Sequence, residues 1–501
     1  MKSTIIILLT ILTYSVVAQN KSAYTFIWGG GGVFARFAGD TSRPITGQLY
    51  SNNPPYIIFS KGSSNICDSS TSKLLMLSNG YVLYDTLGNI IENGDSLVPQ
   101  KIYAHNVFPI SGVTQGSLIL PKGSNGLYYL FTPTISDSAY TFYVTNGGGG
   151  GAVPYDLLQY HVVDMNANGG AGKVVQKNIP ALTNVKMSKV GMMACRHANG
   201  YDWWLVKQAA DTNMMYVFLV TADTVILKNV QGFSSPHFGY FDLVGQSCFS
   251  TDGSKYAYLQ GDRPKLFVAD FDRCYGVFSN PREFNIPVDS TTHPVWILDS
   301  SAIGVCFSPN DKFIYIAQDF HIYQLEYNEP DSLLAWSKIK KGADTILSQF
   351  AKYGQLYKGL DGRIYIGKFG GSGIANSVID HPDLKGLACG FCARCLRCDT
   401  SGYGTTAPSN MPDFNLGAIA VCPPLGVNII SRTQEELEVY PNPTNTKFQI
   451  KYQIPNSKKE LFNSVGQLIF TTNKNEIDVS NYSKGVYYLR CGFQTKKIII
   501  E

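Results

Sequence analysis

Four cysteines three residues apart, Cys389-Gly-Phe-Cys392-Ala-Arg-Cys395-Leu-Arg-Cys398, form the densest group of reactive side chains in the sequence. Thiolates so spaced can ligate an iron–sulfur cluster or zinc, or pair as disulfides. The bacterial iron–sulfur pattern has three residues before its last cysteine and a proline after it, whereas Asp399 follows here. No second Cys-x-x-Cys lies at zinc-ribbon distance. In an exported chain the expected use of Cys389, Cys392, Cys395 and Cys398 is disulfides, with one bridge closing the loop from Asp399 to Asn410 through Cys422. A metal at Cys389–Cys398 is the alternative. The total of eleven cysteines leaves at least one unpaired in a monomer.

Other groupings carry weaker chemistry. Cys195, Cys248 and Cys306 hold the same place in three copies of one short pattern, which suits a small apolar side chain wedged between repeated units. Asp164-Met-Asn166-Ala-Asn168-Gly reproduces the first half of a calcium loop, but Val175 stands where the bidentate Glu is needed. Asp164, Asn166 and Asn168 are therefore candidate ligands for a weak Ca²⁺ site, with a glycine-rich turn as the ordinary reading. The seven histidines form no HExxH pair, and the chain has no GxSxG elbow, P-loop or dinucleotide fingerprint. No catalytic residue is assigned. A carboxylate pair for glycan hydrolysis would meet only in three dimensions.

The elements that must position these residues are strands. The chain has 48 Gly, 31 Tyr and 27 Phe with only 16% charged residues, a balance suited to many short strands and tight turns around an aromatic core. The net charge of +4 is small for 501 residues and forms no basic stripe, so nucleic acid is not an expected partner. A pattern of apolar strand, Asn/Asp-Gly turn and aromatic-rich strand recurs at Asn79, Asn125, Asn199, Asp252, Asn310 and Asp361, with a mean step of about 56 residues. Asn-Gly and Asp-Gly turn hairpins at positive φ, and several strands per unit at such a period mark propeller blades. Six marks plus the segment Tyr24–Phe37 predict an all-β propeller of seven blades.

The two ends read as export signals. Lys2, the apolar run Ile5–Val17 and the small residues Val16-Val-Ala18 make residues 1–18 a signal peptide, too short to span a membrane. At the other end, Pro441-Asn442-Pro443 sets a turn, and Val465-Gly466-Gln467 separates two apolar runs as a hairpin would. Ile477-Asp-Val-Ser480, Lys484-Gly485-Val-Tyr-Tyr-Leu489 and Lys496-Lys497-Ile498 follow. This layout resembles the C-terminal sorting domain that type IX secretion uses to carry proteins across the outer membrane of Bacteroidota. The resemblance implies a small β-sandwich, the type IX machinery as partner, and a secreted or cell-surface destination. The body is similar to secreted Bacteroidota propeller proteins in Lys73–Gly80, Gly116–Lys122, His197–Trp204, Asp361–Ile366 and Asn410-Met-Pro-Asp-Phe414. That likeness implies a fold and a location but no catalytic residues.

The expected organisation is a signal peptide (1–18), a propeller (19–424), a linker (425–436) and a sorting domain (437–501), with no membrane span in the mature chain. The leading functional expectation is a binding scaffold for carbohydrate or protein ligands, its Tyr and Trp side chains stacking on sugars. The alternatives are a glycan- or peptide-processing enzyme at the channel mouth, and a metal or redox protein using Cys389–Cys398.

Overall fold

A computed structural model describes residues 20–27, 33–37, 44–49, 59–105, 113–146, 155–210, 212–234, 244–260, 265–287, 302–340, 352–369, 375–397, 407–419, 422, 437–451, 459–464, 467–491 and 494–501. The expected signal peptide and linker lie outside these residues. The chain divides into two compact units, Met1–Pro423 and Pro424–Glu501.

The first unit is a β-propeller, with seven blades among the described residues. Blade 1 has β1 (Thr25–Ile27), β2 (Val33–Arg36) and β3 (Ile45–Gln48); blade 2 has β4 (Ser64–Cys67), β5 (Leu74–Ser78) and β6 (Leu83–Tyr84). Blade 3 has β7 (Leu118–Pro121), β8 (Leu127–Thr134), β9 (Tyr155–Asp164) and the first part of β10 (Lys173–Arg196). The end of β10 opens blade 4, followed by β11 (Trp203–Ala209), β12 (Met214–Val220) and β13 (Val225–Gly232), so one strand serves two blades. Blade 5 comprises β14 (Ser247–Phe249), β15 (Lys255–Gln260), β16 (Lys265–Asp272) and β17 (Val277–Asn285). Blade 6 comprises β18 (Ala302–Phe307), β19 (Ile314–Gln318), β20 (His321–Leu325) and β21 (Trp336–Lys340). Blade 7 comprises β22 (Lys352–Lys358), β23 (Ile364–Phe369), β24 (Ala375–Ile379) and β25 (Phe391–Arg397).

Each blade is an antiparallel meander, and the first strands pack on one another: β1 on β4, β4 on β7, β10 on β14, β14 on β18 and β18 on β22. The ring closes between the first and last blades. Phe26 on β1 meets Tyr357 and Tyr365 at 6.3 and 6.2 Å, and Phe37 meets Tyr365 at 5.5 Å, all edge to face. Such pairs add about 0.5–1.5 kcal/mol each beyond their buried area.

Five of the six sequence marks join the first strand of a blade to its second. At Asn199, Asp252, Asn310 and Asp361 the side-chain oxygen accepts the amide two residues on, so the side chain itself closes the turn. The exception is Asn79, which lies between β5 and β6. The first turn of blade 2 is instead Asp68–Lys73, built without glycine. There the Asp68 carboxylate accepts the amides of Ser70 and Thr71, and Ser72 takes the left-handed conformation.

The second unit has two sheets, taken by itself. β26 (Glu438–Tyr440), β27 (Lys447–Lys451) and β30 (Glu476–Asp478) form one. β29 (Leu468–Thr472), β28 (Lys459–Asn463), β31 (Gly485–Cys491) and β32 (Gln494–Ile500) form the other, in that order. Alternate residues face one core, as Phe448, Ile450, Tyr487, Leu489 and Ile498 show. The Gln467 amide donates to the Asn463 side chain across the expected hairpin, whose Gly466 lies outside the described residues. Asn442, between Pro441 and Pro443, donates to the Lys497 carbonyl and accepts the Ile499 amide, pinning the entering chain to the last strand. Gly485 starts β31, Lys484 precedes it, and Lys496 lies beside Lys497 on β32.

Candidate functional site

The axis of the propeller, where its inner strands converge, is occupied by the chain itself. Ala407–Ile419, which has no regular secondary structure, runs along the inner strands. Ser409 Oγ accepts the Ile27 amide at 3.0 Å and donates to the Ile27 carbonyl at 2.8 Å. The Asn410 amide donates to the Ser63 carbonyl, and its Nδ2 donates to the carbonyls of Ser117 and Met192. One residue thereby joins blades 2, 3 and 4. Its Oδ1 accepts Gln115 Nε2 at 3.1 Å.

Glutamines complete a belt across the axis. Gln115 Nε2 donates to the Ser247 carbonyl, and its Oε1 accepts the Ser247 amide. Gln246 Oε1 accepts the amides of Val305 and Leu356, while its Nε2 donates to the Leu356 carbonyl. Gln355 Nε2 reaches Thr114 Oγ1. All of these residues are buried. Buried amides must be hydrogen-bonded, and here those of Gln115 and Gln246 bond to the backbone of other blades while Gln355 meets the Thr114 hydroxyl, so the belt ties the blades together across the axis.

Beyond the belt the segment is anchored again. Asp413 pairs with Lys358 at 2.9 Å, and Lys358 also donates to Thr251. Arg273 donates to the Arg196 carbonyl and to the Gly417 carbonyl. The Ile419 amide donates to the Ala198 carbonyl. Three residues later Cys422 forms a disulfide with Cys274, in the turn between β16 and β17.

One cleft opens between blades 6 and 7. It is narrow, with about 10 Å³ of space, room for a single water, and is lined by Phe320, Lys352, Tyr353, Gly367, Lys368, Ser377 and Arg394. Lys352 pairs with Asp319 at 2.9 Å, and the Asp319 carbonyl accepts the Tyr353 amide. Asp319 and Phe320 make a two-residue hairpin, where Asp tolerates its φ of 49°. Arg394 has no such excuse. It sits inside β25 at φ 54°, where a side chain costs roughly 1–2 kcal/mol, and its amide is taken by Ser377 Oγ at 3.2 Å. The bulge carrying it sets Cys392 opposite Val378 and Leu396 opposite Asn376.

The residues singled out by sequence are distributed as follows. Cys422 is bridged, but to Cys274, which the sequence reading had not paired with it. The expected disulfides among Cys389, Cys392 and Cys395 are corrected: none of the three is bridged to another. β25 is bulged, and the Cys395 thiol donates to the Cys392 carbonyl instead of meeting its sulfur. Cys398 lies outside the described residues. Cys195, Cys248 and Cys306 are buried at blade contacts, joined by Cys67 at the equivalent end of β4, which the sequence reading passed over. Burial raises all four thiols, Cys67 to about 11 and Cys195 and Cys306 to about 12.

Asp164, Asn166 and Asn168 are used in turn-building. The Asp164 carboxylate accepts the Asn166 amide, Asn166 Nδ2 donates to the Asn125 carbonyl, and Asn168 Nδ2 donates to the Glu92 carboxylate. Among the described residues no three His, Cys, Asp or Glu side chains come together as a metal site. Asp252 and Asp311 share one electrostatic neighbourhood: burial raises Asp311, while Asp252 is lowered, against its own burial, by hydrogen bonds from Ser250 and Ser254. Yet Asp311 spends its carboxylate on the amides of Thr251 and Asp252 in the neighbouring blade. Of the aromatic side chains expected at a sugar-stacking surface, Trp203, Trp204, Tyr129, Tyr256, Tyr258, Tyr315, Tyr323 and Tyr365 fill the interior, Tyr201 in the first turn of blade 4 is exposed, and Trp28 and Trp296 lie outside the described residues.

No curated protein matches the chain. Solved structures similar to it include a periplasmic gluconolactonase from Pseudomonas aeruginosa (10% identity, 95% of this chain and 99% of that one, TM-score 0.34). Others are a quinoprotein alcohol dehydrogenase-like protein from Bacteroides thetaiotaomicron (9% identity, 78% and 79%, TM-score 0.37) and a protein from Lactobacillus plantarum (10% identity, 90% and 96%, TM-score 0.37). Likeness at this level assigns no activity. Among the described residues no helix is long and apolar enough to cross a membrane. Residues 438–501 match the secretion system C-terminal sorting domain. The chain is thus a β-propeller followed by a type IX sorting domain, and it is exported to the cell surface or the extracellular space.

Proposed function

We propose that the exported body is a binding scaffold for extracellular carbohydrate or protein ligands, and that the sorting domain is removed on export. The observation that carries this reading is the sealed axis. Gln115, Gln246 and Asn410 are spent on backbone groups of other blades and Gln355 on the Thr114 hydroxyl, so the place where a propeller would gather catalytic groups holds packing instead. The carboxylates of Asp252, Asp311 and Asp413 also support it, because they cap turns or pair with Lys358. Ligand contact then falls to the loops at the rim of the blades.

The test is a panel of polysaccharides and extracellular proteins presented to the mature chain, read for both binding and product. Saturable binding with the ligand recovered intact supports the scaffold. Shortened glycan or cleaved peptide would establish the enzyme reading instead.

A further inference from the structure

The two sheets of the sorting domain turn different faces outward. Alternation along a strand sends every second side chain away from the shared core. On β26, β27 and β30 those side chains are mostly charged: Glu438 pairs with Lys451 at 3.4 Å and Lys447 with Glu476 at 3.1 Å, with Tyr440 the one ring. The four-stranded sheet differs. Leu468 on β29, Phe462 on β28, Tyr488 on β31 and Lys497 on β32 stand opposite one another in register, a row that crosses every strand of the sheet. Leu468 is 48% exposed and Tyr488 40%. Val486 and Ile499 pair in a second row beside it, both half-buried. Arg490 lies over the Phe462 ring at 4.9 Å and donates to Glu460 at 2.8 Å, which neutralises it. Lys497 is exposed and makes no ion pair among the described residues.

The outer face of an antiparallel sheet ordinarily meets water and carries polar side chains, and apolar side chains gathered there mark an interaction surface. We infer that this face of the sorting domain is where the type IX machinery holds the chain, through a partner surface that is apolar and places a carboxylate opposite Lys497. The match of residues 438–501 to the sorting domain supplies the occupant, and the register supplies the surface. Aromatic side chains with little net charge are what the centres of protein interfaces hold. The two rows span roughly 14 Å across the strands and about 7 Å along them, far below the roughly 800 Å² per partner of a stable interface. A contact of that size releases readily, as a chain in transit requires, and is too small to hold two copies of the chain together. The inference goes beyond the scaffold reading, which concerns the propeller.

The experiment expresses the full chain in a Bacteroidota host with an intact type IX system and measures, by immunoblot, the share found outside the outer membrane. Phe462→Ser and Tyr488→Ser should each lower that share at least tenfold with thermal unfolding of the purified variants unchanged, and Tyr488→Phe should export as the wild type does. Lys497→Glu should lower it at least threefold while leaving the apolar row intact. Glu438→Gln and Lys451→Gln, on the charged sheet, should export normally. Wild-type export of the folded serine variants, or an equal loss from the charged-sheet variants, would overturn the assignment. Should the serine variants unfold, Lys497→Glu, at an exposed position, still decides. Purified wild type should sediment as a monomer and should not float with phosphatidylglycerol vesicles. A dimer or a vesicle complex that Tyr488→Ser abolishes would give the face to a second copy or to lipid and overturn the inference.

Discussion

The hydroxyl of Ser409 satisfies both backbone groups of Ile27, a residue 382 positions earlier in the chain. A single side chain thereby does what a ladder strand would do beside β1 and ties the end of the propeller to its beginning. Ser409→Ala would leave a buried N–H and C=O without partners, a loss of roughly 1–3 kcal/mol. Urea unfolding should show a lower midpoint with an unchanged slope. An unchanged midpoint would mean that the ring is held by its aromatic contacts alone.

The Cys274–Cys422 bridge closes a segment with a sequence separation of 148 residues. Bridges over long loops restrict the unfolded chain most in the entropy model, and losing a native one typically costs about 2–5 kcal/mol. Cys422→Ser should therefore unfold at lower denaturant, and reductant should affect the wild type but not the variant. Equal sensitivity of both to reductant would argue against the bridge.

Thiol accessibility offers a sharper check on the cysteines. Cys392 and Cys395 are half-exposed, whereas Cys67, Cys195, Cys248 and Cys306 are buried with their thiols pushed up. Only the thiolate is nucleophilic. Brief alkylation of the native chain should label Cys392 and Cys395 and spare the buried four until denaturant is added. Native labelling of Cys195 would contradict the blade packing.

His161 gives the fold an acid limit. It is fully buried, its Nδ1 accepts the Asn178 amide, and its Nε2 therefore donates to Thr132. Burial above all lowers its pKa from 6.5 to about 3. Between those values the unfolded chain binds a proton that the folded chain does not, so stability falls as pH drops from 6.5 toward 3. His161→Gln should flatten that part of the profile in denaturant titrations at pH 7, 5.5 and 4. A variant with the wild-type slope would assign the acid sensitivity elsewhere.

Much of the fold was legible because its turns are local. Asn199, Asp252, Asn310 and Asp361 mark blades by a side chain that closes its own hairpin, a signal contained within four residues. Asn79 misled because blade 2 turns on Asp68 and its hydroxyl neighbours, with no glycine to read. The axial plug was hidden for the opposite reason. Ala407–Ile419 has neither strand nor helix periodicity, and its meaning lies in polar atoms meeting backbone hundreds of residues away. The Cys274–Cys422 connectivity and the cleft at Lys352, Lys368 and Arg394 are likewise products of three-dimensional assembly. Tyrosine and tryptophan content pointed outward to sugars, but a core built from short strands takes many of those rings, with Tyr201 left exposed in the first turn of blade 4.

The central claim is that the chain closes and seals its own ring with Ala407–Ile419. Hydrogen exchange of the mature protein, resolved by mass spectrometry across that segment, tests it most directly. The amides of Asn410 and Ile419 donate to the Ser63 and Ala198 carbonyls, so they should exchange as slowly as those of β22, and Ser409→Ala or Cys422→Ser should speed them. Exchange of these amides within seconds in the wild type, while β22 stays protected, would show an open axis and contradict the account.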